Sequence, residues 1–256
     1  YYKVTVEHLL SHIETSVRKI TTEEIRTYLA EYQKNNKCSN VTVDNIRRNI
    51  SSFFSWLEEE DYILKSPMKR IHKIKTKTVV KSVITDEGIE RLRDNCKEIR
   101  DLAIIDLLYS TGIRVGELVN LNVDDIDLEG RECIVYGKGD KERRVYFDAK
   151  AKVHLKEYIA HRKDNNSALF VTLDAPHDRL KISGVEIRLR ELGKRIDLER
   201  IHPHKFRRTM ATRAIDKGMP IEQVQKILGH SQIDTTMQYA MVNQNTVKTA
   251  HQKYMS

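Results

Sequence analysis

Cysteine is scarce in this 256-residue chain. Its three cysteines, Cys38, Cys96 and Cys133, lie far apart and form no CxxC pair. That argues against a disulfide scaffold and a cysteine zinc site, and fits a reducing cytoplasm. No apolar run approaches the roughly 20 residues of a membrane helix, and no signal peptide is visible. Internal repeats and low-complexity tracts are absent, as are HExxH, GxSxG and GxGxxG motifs. The run Asp125–Gly130 begins like a calcium loop, but its twelfth position is Tyr136, where a bidentate Glu is needed. Gly137-Lys138-Gly139 lacks the P-loop spacing and sits in a hairpin context. His202 and His204 are two apart and share no helix face. We therefore expect no metal and no cofactor.

Acidic residues are outnumbered, 37 against 45 Lys and Arg, for a net charge of +8. This balance favours a polyanionic partner, nucleic acid before membrane, although charge alone also fits any basic soluble protein. The imbalance is concentrated. Residues 65–81 carry seven Lys or Arg and no Asp or Glu. Pro67 interrupts any helix there. The stretch reads as a basic interdomain tether, with Lys69, Arg70, Lys73 and Lys75 available to phosphates.

The rest of the chain divides at this stretch. Before it, the spacing is helical from the first residues (Tyr2, Val6, Leu9, Leu10, Ile13), and we expect a further segment to precede it. A second helix follows Thr21-Thr22-Glu23-Glu24, a cap with early acids. A third is expected over about 42–60, with Val43, Ile46, Ile50, Phe53, Phe54 and Leu57 as its apolar stripe. Arg47 and Arg48 fall outside the stripe, facing either DNA phosphates or solvent. After the tether, helices are expected from 85, over 98–110 and from 115, then strands Glu132–Tyr136 and Arg143–Phe147 with a hairpin turn between them. Helices resume near 149–161, 184–193, 203–216 and 220–228. Pro203 and Pro220 suit first helical turns, and Gly218 and Gly229 suit helix ends. The expected domains are 1–72, a linker 73–82, and 83–256.

Several residues carry chemistry suited to a phosphodiester. Cleavage without metal needs fixed cations for the phosphate oxygens, and Arg offers a planar, always-charged fork. It also needs an in-line nucleophile and an acid for the leaving oxygen. Arg114 stands at a Gly-bounded helix start, and Lys138 on the hairpin tip. His204 and Arg207, three apart, share a helix face. His230 follows Leu228-Gly229, and Tyr239 lies nine residues later. Taken singly, each also has an ordinary role: ion pair, turn lysine, helix cap, half-buried tyrosine.

Together they resemble a known family. The strings TGIRVGEL, GKGDKERRV, PHKFRRTMAT, LGH and TTMQY appear in the order found in the tyrosine recombinases, which include phage integrases and Xer-type recombinases. The resemblance covers the chain from about residue 83. NIRRNISSFFSWLEEEDYI also resembles the family's SAM-like core-binding domain. Arg208, Gly116 and the Ala240-Met241 pair depart from common family patterns, but not at matched catalytic positions.

The resemblance implies a mainly α fold with a small antiparallel β-sheet. It implies two domains, an all-helical SAM-like core-binding domain and a catalytic domain, forming a C-shaped clamp on DNA. It implies Tyr239 as nucleophile, forming a 3′-phosphotyrosyl bond. Arg114 and Arg207 hold the non-bridging oxygens, Lys138 is the general acid, His204 assists proton transfer, and His230 hydrogen-bonds the phosphate. Glu117 orients its neighbours. The implied function is site-specific recombination of double-stranded DNA without metal or ATP, by a homo-tetramer that is a monomer or weak dimer when free. Accessory DNA-bending proteins, a bacterial cytoplasmic setting and a mobile-element or phage role accompany that picture. The tail from Val242 is expected to dock on a neighbouring subunit. A type IB topoisomerase shares the chemistry and is the main alternative. A helix-turn-helix regulator leaves Arg114, Lys138 and Tyr239 without a role.

Overall fold

The computed structural model describes residues 1–76, 82–137, 142–198, 200–230 and 232–240, without the side chains of 234, 235, 238 and 240. Two compact units divide the chain, 1–79 and 80–256.

The first unit is helical. It contains α1 (Tyr2–His12), α2 (Thr22–Asn36) and α3 (Asn40–Glu59). At the start of α2, Thr21 and Glu24 form a reciprocal capping box, each side chain accepting from the other's backbone N–H. Two of the free amides of that helix end are thereby satisfied. Ser39 caps α3 by accepting from the Thr42 backbone, which starts the helix two residues before the expected position. The helices close over Leu9, Ile25, Tyr28, Ile46, Ile50 and Phe54. Burying each such side chain is worth about 1.5–3 kcal/mol.

The front half of the basic stretch belongs to this core. Ser66 caps a 3₁₀ turn, Pro67–Arg70, that buries Met68. Ile71 and Ile74 pack on the same core. The Ile74 amide donates to Asp44 Oδ1 at 3.0 Å. Residues 73–76, expected to open the linker, thus lie on the first unit.

The second unit contains α4 (Asp86–Asp94), α5 (Ile99–Thr111), α6 (Val115–Asn120), β1 (Ile126–Asp127), β2 (Glu132–Tyr136), β3 (Glu142–Tyr146), α7 (Ala149–His161), α8 (Ile182–Arg195), α9 (Pro203–Asp216), α10 (Ile221–Leu228) and α11 (Ile233–Ala240). Helix α5 is largely buried, with Ala103, Ile104, Ile105, Leu107 and Leu108 in the core. It packs against α7 and α9. The sheet is antiparallel in the order β1-β2-β3, with Cys133 opposite Val145. Cys133, Val135, Val145 and Phe147 turn into the core.

Three sequence expectations change. The last strand lies one residue earlier than expected, β1 pairs with β2 as an additional short strand, and Pro220 is the residue before α10, not its first. Helix α11 was not expected, and it carries Tyr239. Among the described residues, no helix is long and apolar enough to cross a membrane.

Candidate phosphate-gripping site

The site grows from two helix ends. Helices α5 and α10 both terminate in a left-handed glycine, Gly112 at φ 63° and Gly229 at φ 62°. Such ends leave carbonyls without helical partners. Here arginines take them. Arg207 Nη1 donates to Gly112 O and Nη2 to Leu228 O, each at 2.6 Å. Arg114 Nη2 reaches Gly229 O at 3.4 Å. A Cβ on Gly112 would lie 2.4 Å from Met210 Cε, so that flexible chain end would have to move aside, and the left-handed backbone is the stronger reason for glycine.

Arg207 is 3% exposed. Its partners are two carbonyls and His230 Nε2, and among the described residues no carboxylate pairs with it. Burial, then neighbouring Arg114, pulls its pKa down to about 10, so it stays charged at neutral pH. A buried charge without a counter-ion is costly unless an anion completes the site.

Arg114 precedes α6. Its backbone amide donates to Glu117 Oε2 at 2.7 Å and its Nη1 to Oε1 at 2.9 Å. Its side chain remains 39% exposed. Glu117 is buried. Burial alone would raise its pKa, but hydrogen bonds from Arg143 and Arg114 outweigh that and hold it low.

Arg143 was not anticipated. From β3 its Nη1 and Nη2 grip both Glu117 oxygens at 2.7 Å, while its Nε donates to Ile227 O at 3.0 Å. One residue joins the hairpin, the start of α6 and the end of α10. The legible signal was strand alternation: Arg143 shares the inward face with buried Val145.

The histidines frame the same spot. His204 lies in the first turn of α9; burial, then Arg207 and Arg114, lowers its pKa. His230 is lowered to about 4 by burial, then by Arg207, Arg114 and Arg143. Its Nδ1 lies 2.8 Å from Thr236 Oγ1, a second residue that went unanticipated. The rings of His230 and Tyr239 lie 6.1 Å apart at 28°. Tyr239 also packs on the cluster of Ala211, Val224 and Leu228.

The structure therefore gathers Arg114, Glu117, His204, Arg207, His230 and Tyr239. Lys138 and the tail from Val242 lie outside the described residues. The other candidates lie on the first unit. Arg47 is turned onto buried Asp44 at 2.8 Å, so its charge is engaged internally. Arg48 is 64% exposed beside the same carboxylate. Lys69 pairs with Glu58 but stays exposed, as do Arg70, Lys73 and Lys75.

Comparison with known proteins decides the family. The phage integrase family model matches residues 82–246, and a model of the phage integrase N-terminal SAM-like domain matches 1–64. This chain is a tyrosine recombinase of the phage integrase family. Tyrosine recombinase XerC of Oceanobacillus iheyensis is 31% identical to this recombinase over 256 residues, covering 95% of this chain and 82% of that one. XerC of Leptospira interrogans is 32% identical over 249 residues, covering 94% and 80%. In fold, the recombinase resembles XerH site-specific recombinase bound to palindromic difH substrate (TM-score 0.80, 20% identity, 100% and 78% covered). It likewise resembles the Tn1549 transposon integrase in complex with transposon right end DNA (TM-score 0.80, 19% identity, 99% and 93% covered). Its class of activity is site-specific cleavage and rejoining of DNA.

Proposed function

We propose that this recombinase cleaves one DNA strand by in-line attack of the Tyr239 hydroxyl oxygen on a backbone phosphate. The Tyr239 oxygen–phosphorus bond forms as the phosphorus–O5′ bond breaks, giving a 3′-phosphotyrosyl link and a free 5′-hydroxyl. The phosphodiester's energy is kept in that link, so the reverse step rejoins DNA without ATP. The observation that carries this reading is the buried guanidinium of Arg207, paired with no carboxylate among the described residues, beside Arg114 and close to Tyr239. A fixed pair of cations where negative charge develops stabilises the transition state without reorganisation.

Arg207 and Arg114 take the non-bridging oxygens. The lowered pKa of His204 leaves it neutral near pH 7 and able to accept the tyrosine proton. Lys138, five residues before Arg143 on the hairpin, supplies the proton to the leaving O5′. His230, expected to bond the phosphate, serves it through Arg207, from which its Nε2 accepts. The partner is double-stranded DNA bearing recombination sites. Exchange between two duplexes cuts four strands, and one nucleophile per chain implies four copies. A mobile element or phage is the proposed setting.

The test uses a nicked suicide duplex chosen from a random-sequence library by covalent capture on the unaltered chain. The unaltered chain should form a protease-sensitive protein–DNA adduct, and Tyr239→Phe should form none. An adduct that persists in Tyr239→Phe removes the assignment. A supercoiled plasmid with two captured sites should give recombined products, whereas relaxation alone would indicate a topoisomerase.

A further inference from the structure

We infer that Thr236 is a positioning residue for cleavage: its hydroxyl accepts the Nδ1 proton of His230 and thereby ties the helix bearing Tyr239 to the Arg207 guanidinium. This rests on Tyr239 being the nucleophile.

The hydrogen-bond inventory leaves one arrangement. Arg207 has donors only, and its Nη2 lies 3.0 Å from His230 Nε2. That nitrogen must therefore be bare. A proton there would set two donors against each other, in neutral imidazole and imidazolium alike. The ring is then neutral with its proton on Nδ1, and Nδ1–H donates to Thr236 Oγ1 at 2.8 Å. A histidine's orientation and tautomer follow from the partner of its other nitrogen.

Thr236 is fully buried, so water does not replace its oxygen. It lies three residues before Tyr239 on α11, one helical turn away on the same face. The polar chain runs from the Gly112 and Leu228 carbonyls through Arg207 and His230 to Thr236. Seating α11 and aiming Arg207 are thus one event. Without the hydroxyl, the imidazole loses the acceptor that fixes its ring orientation, Arg207 loses a fixed acceptor, and α11 loses its polar tether. The steric shape of residue 236 is secondary to its oxygen, so valine and serine separate the two.

The experiment compares Thr236→Val and Thr236→Ser in the full chain, using the captured suicide duplex. Thr236→Val should form adduct roughly 10–100-fold more slowly, the scale of lost side-chain positioning, with duplex affinity within about twofold. Thr236→Ser should stay within about threefold of the unaltered rate. Nitrogen-15 NMR of histidine-labelled free chain should show His230 protonated on Nδ1 in the unaltered chain and in both variants, since Arg207 sets that tautomer. An Nε2–H tautomer in the unaltered chain overturns the inference without touching Tyr239, as does Thr236→Val at the unaltered rate. Equal losses in both variants also overturn it, since packing would then be the cause. No adduct from the unaltered chain, or an adduct surviving Tyr239→Phe, would overturn the Tyr239 reading and this inference with it.

Discussion

Arg143 occupies a position where a strand ordinarily offers the core an aliphatic side chain. It sits inward like Val145, yet carries a charge, because Glu117 needs a partner there. Removing one member of a buried ion pair generally costs 3–5 kcal/mol, because the other charge stays desolvated. Glu117 keeps two hydrogen bonds from Arg114, so Arg143→Met should cost less, about 1–3 kcal/mol in urea unfolding. The same variant should slow adduct formation, since Arg114 loses the fixed carboxylate against which it is aimed. Arg143→Lys should restore charge but not the two-pronged grip, and recover only part of the rate. If Arg143 acts through Glu117, combining Arg143→Met with Glu117→Gln should slow the reaction little beyond the worse single variant. Additive losses would mean independent roles.

Helix ends, more than helix bodies, build the site. Gly112 turns α5 so that its carbonyl meets Arg207, and its conformation is unfavourable for a side chain by about 1–2 kcal/mol. Gly112→Ala should destabilise the second unit by at least that amount, since the new methyl also meets Met210. Adduct formation should fall with it, measured per folded molecule. The elements also show what the chain made legible. Long apolar periodicity located α3, and the Thr21–Glu24 cap announced α2. Helix α11 escaped because it spans only eight residues, several of them of types with weak helix propensity. The catalytic pattern was legible through a family order of Arg, Lys, His-x-x-Arg, His and Tyr. Arg143 and Thr236 were not, because each takes its meaning from a residue distant in sequence or across a turn: Glu117 for one, His230 for the other. For Arg47 the sequence leaves DNA and solvent open; the fold sets its guanidinium on Asp44, which also receives the Ile74 amide thirty residues on.

At the scale of the whole molecule, charge is arranged as well as abundant. Lys69, Arg70, Lys73 and Lys75 are exposed on the first unit, while the second unit buries its key guanidinium. The two kinds of cation should answer differently to salt. Neutralising the four exposed residues with Gln should weaken duplex binding at all sequences. It should also flatten the plot of log affinity against log salt by roughly 0.9 per lost phosphate contact. Rates measured at saturating DNA should hardly change. A salt slope identical to that of the unaltered chain would exclude these residues from the interface.

The Arg207 arrangement has a thermodynamic consequence for the resting protein. A buried guanidinium held by carbonyls can donate to any small tetrahedral oxyanion, not only to one embedded in DNA. Inorganic phosphate or sulfate that enters raises the unfolding temperature, because it binds the native state alone. It also excludes the substrate from the same seat. Protection and inhibition should therefore be a single equilibrium in this recombinase, so that at equal ionic strength phosphate or sulfate should both raise the unfolding temperature and slow adduct formation relative to chloride.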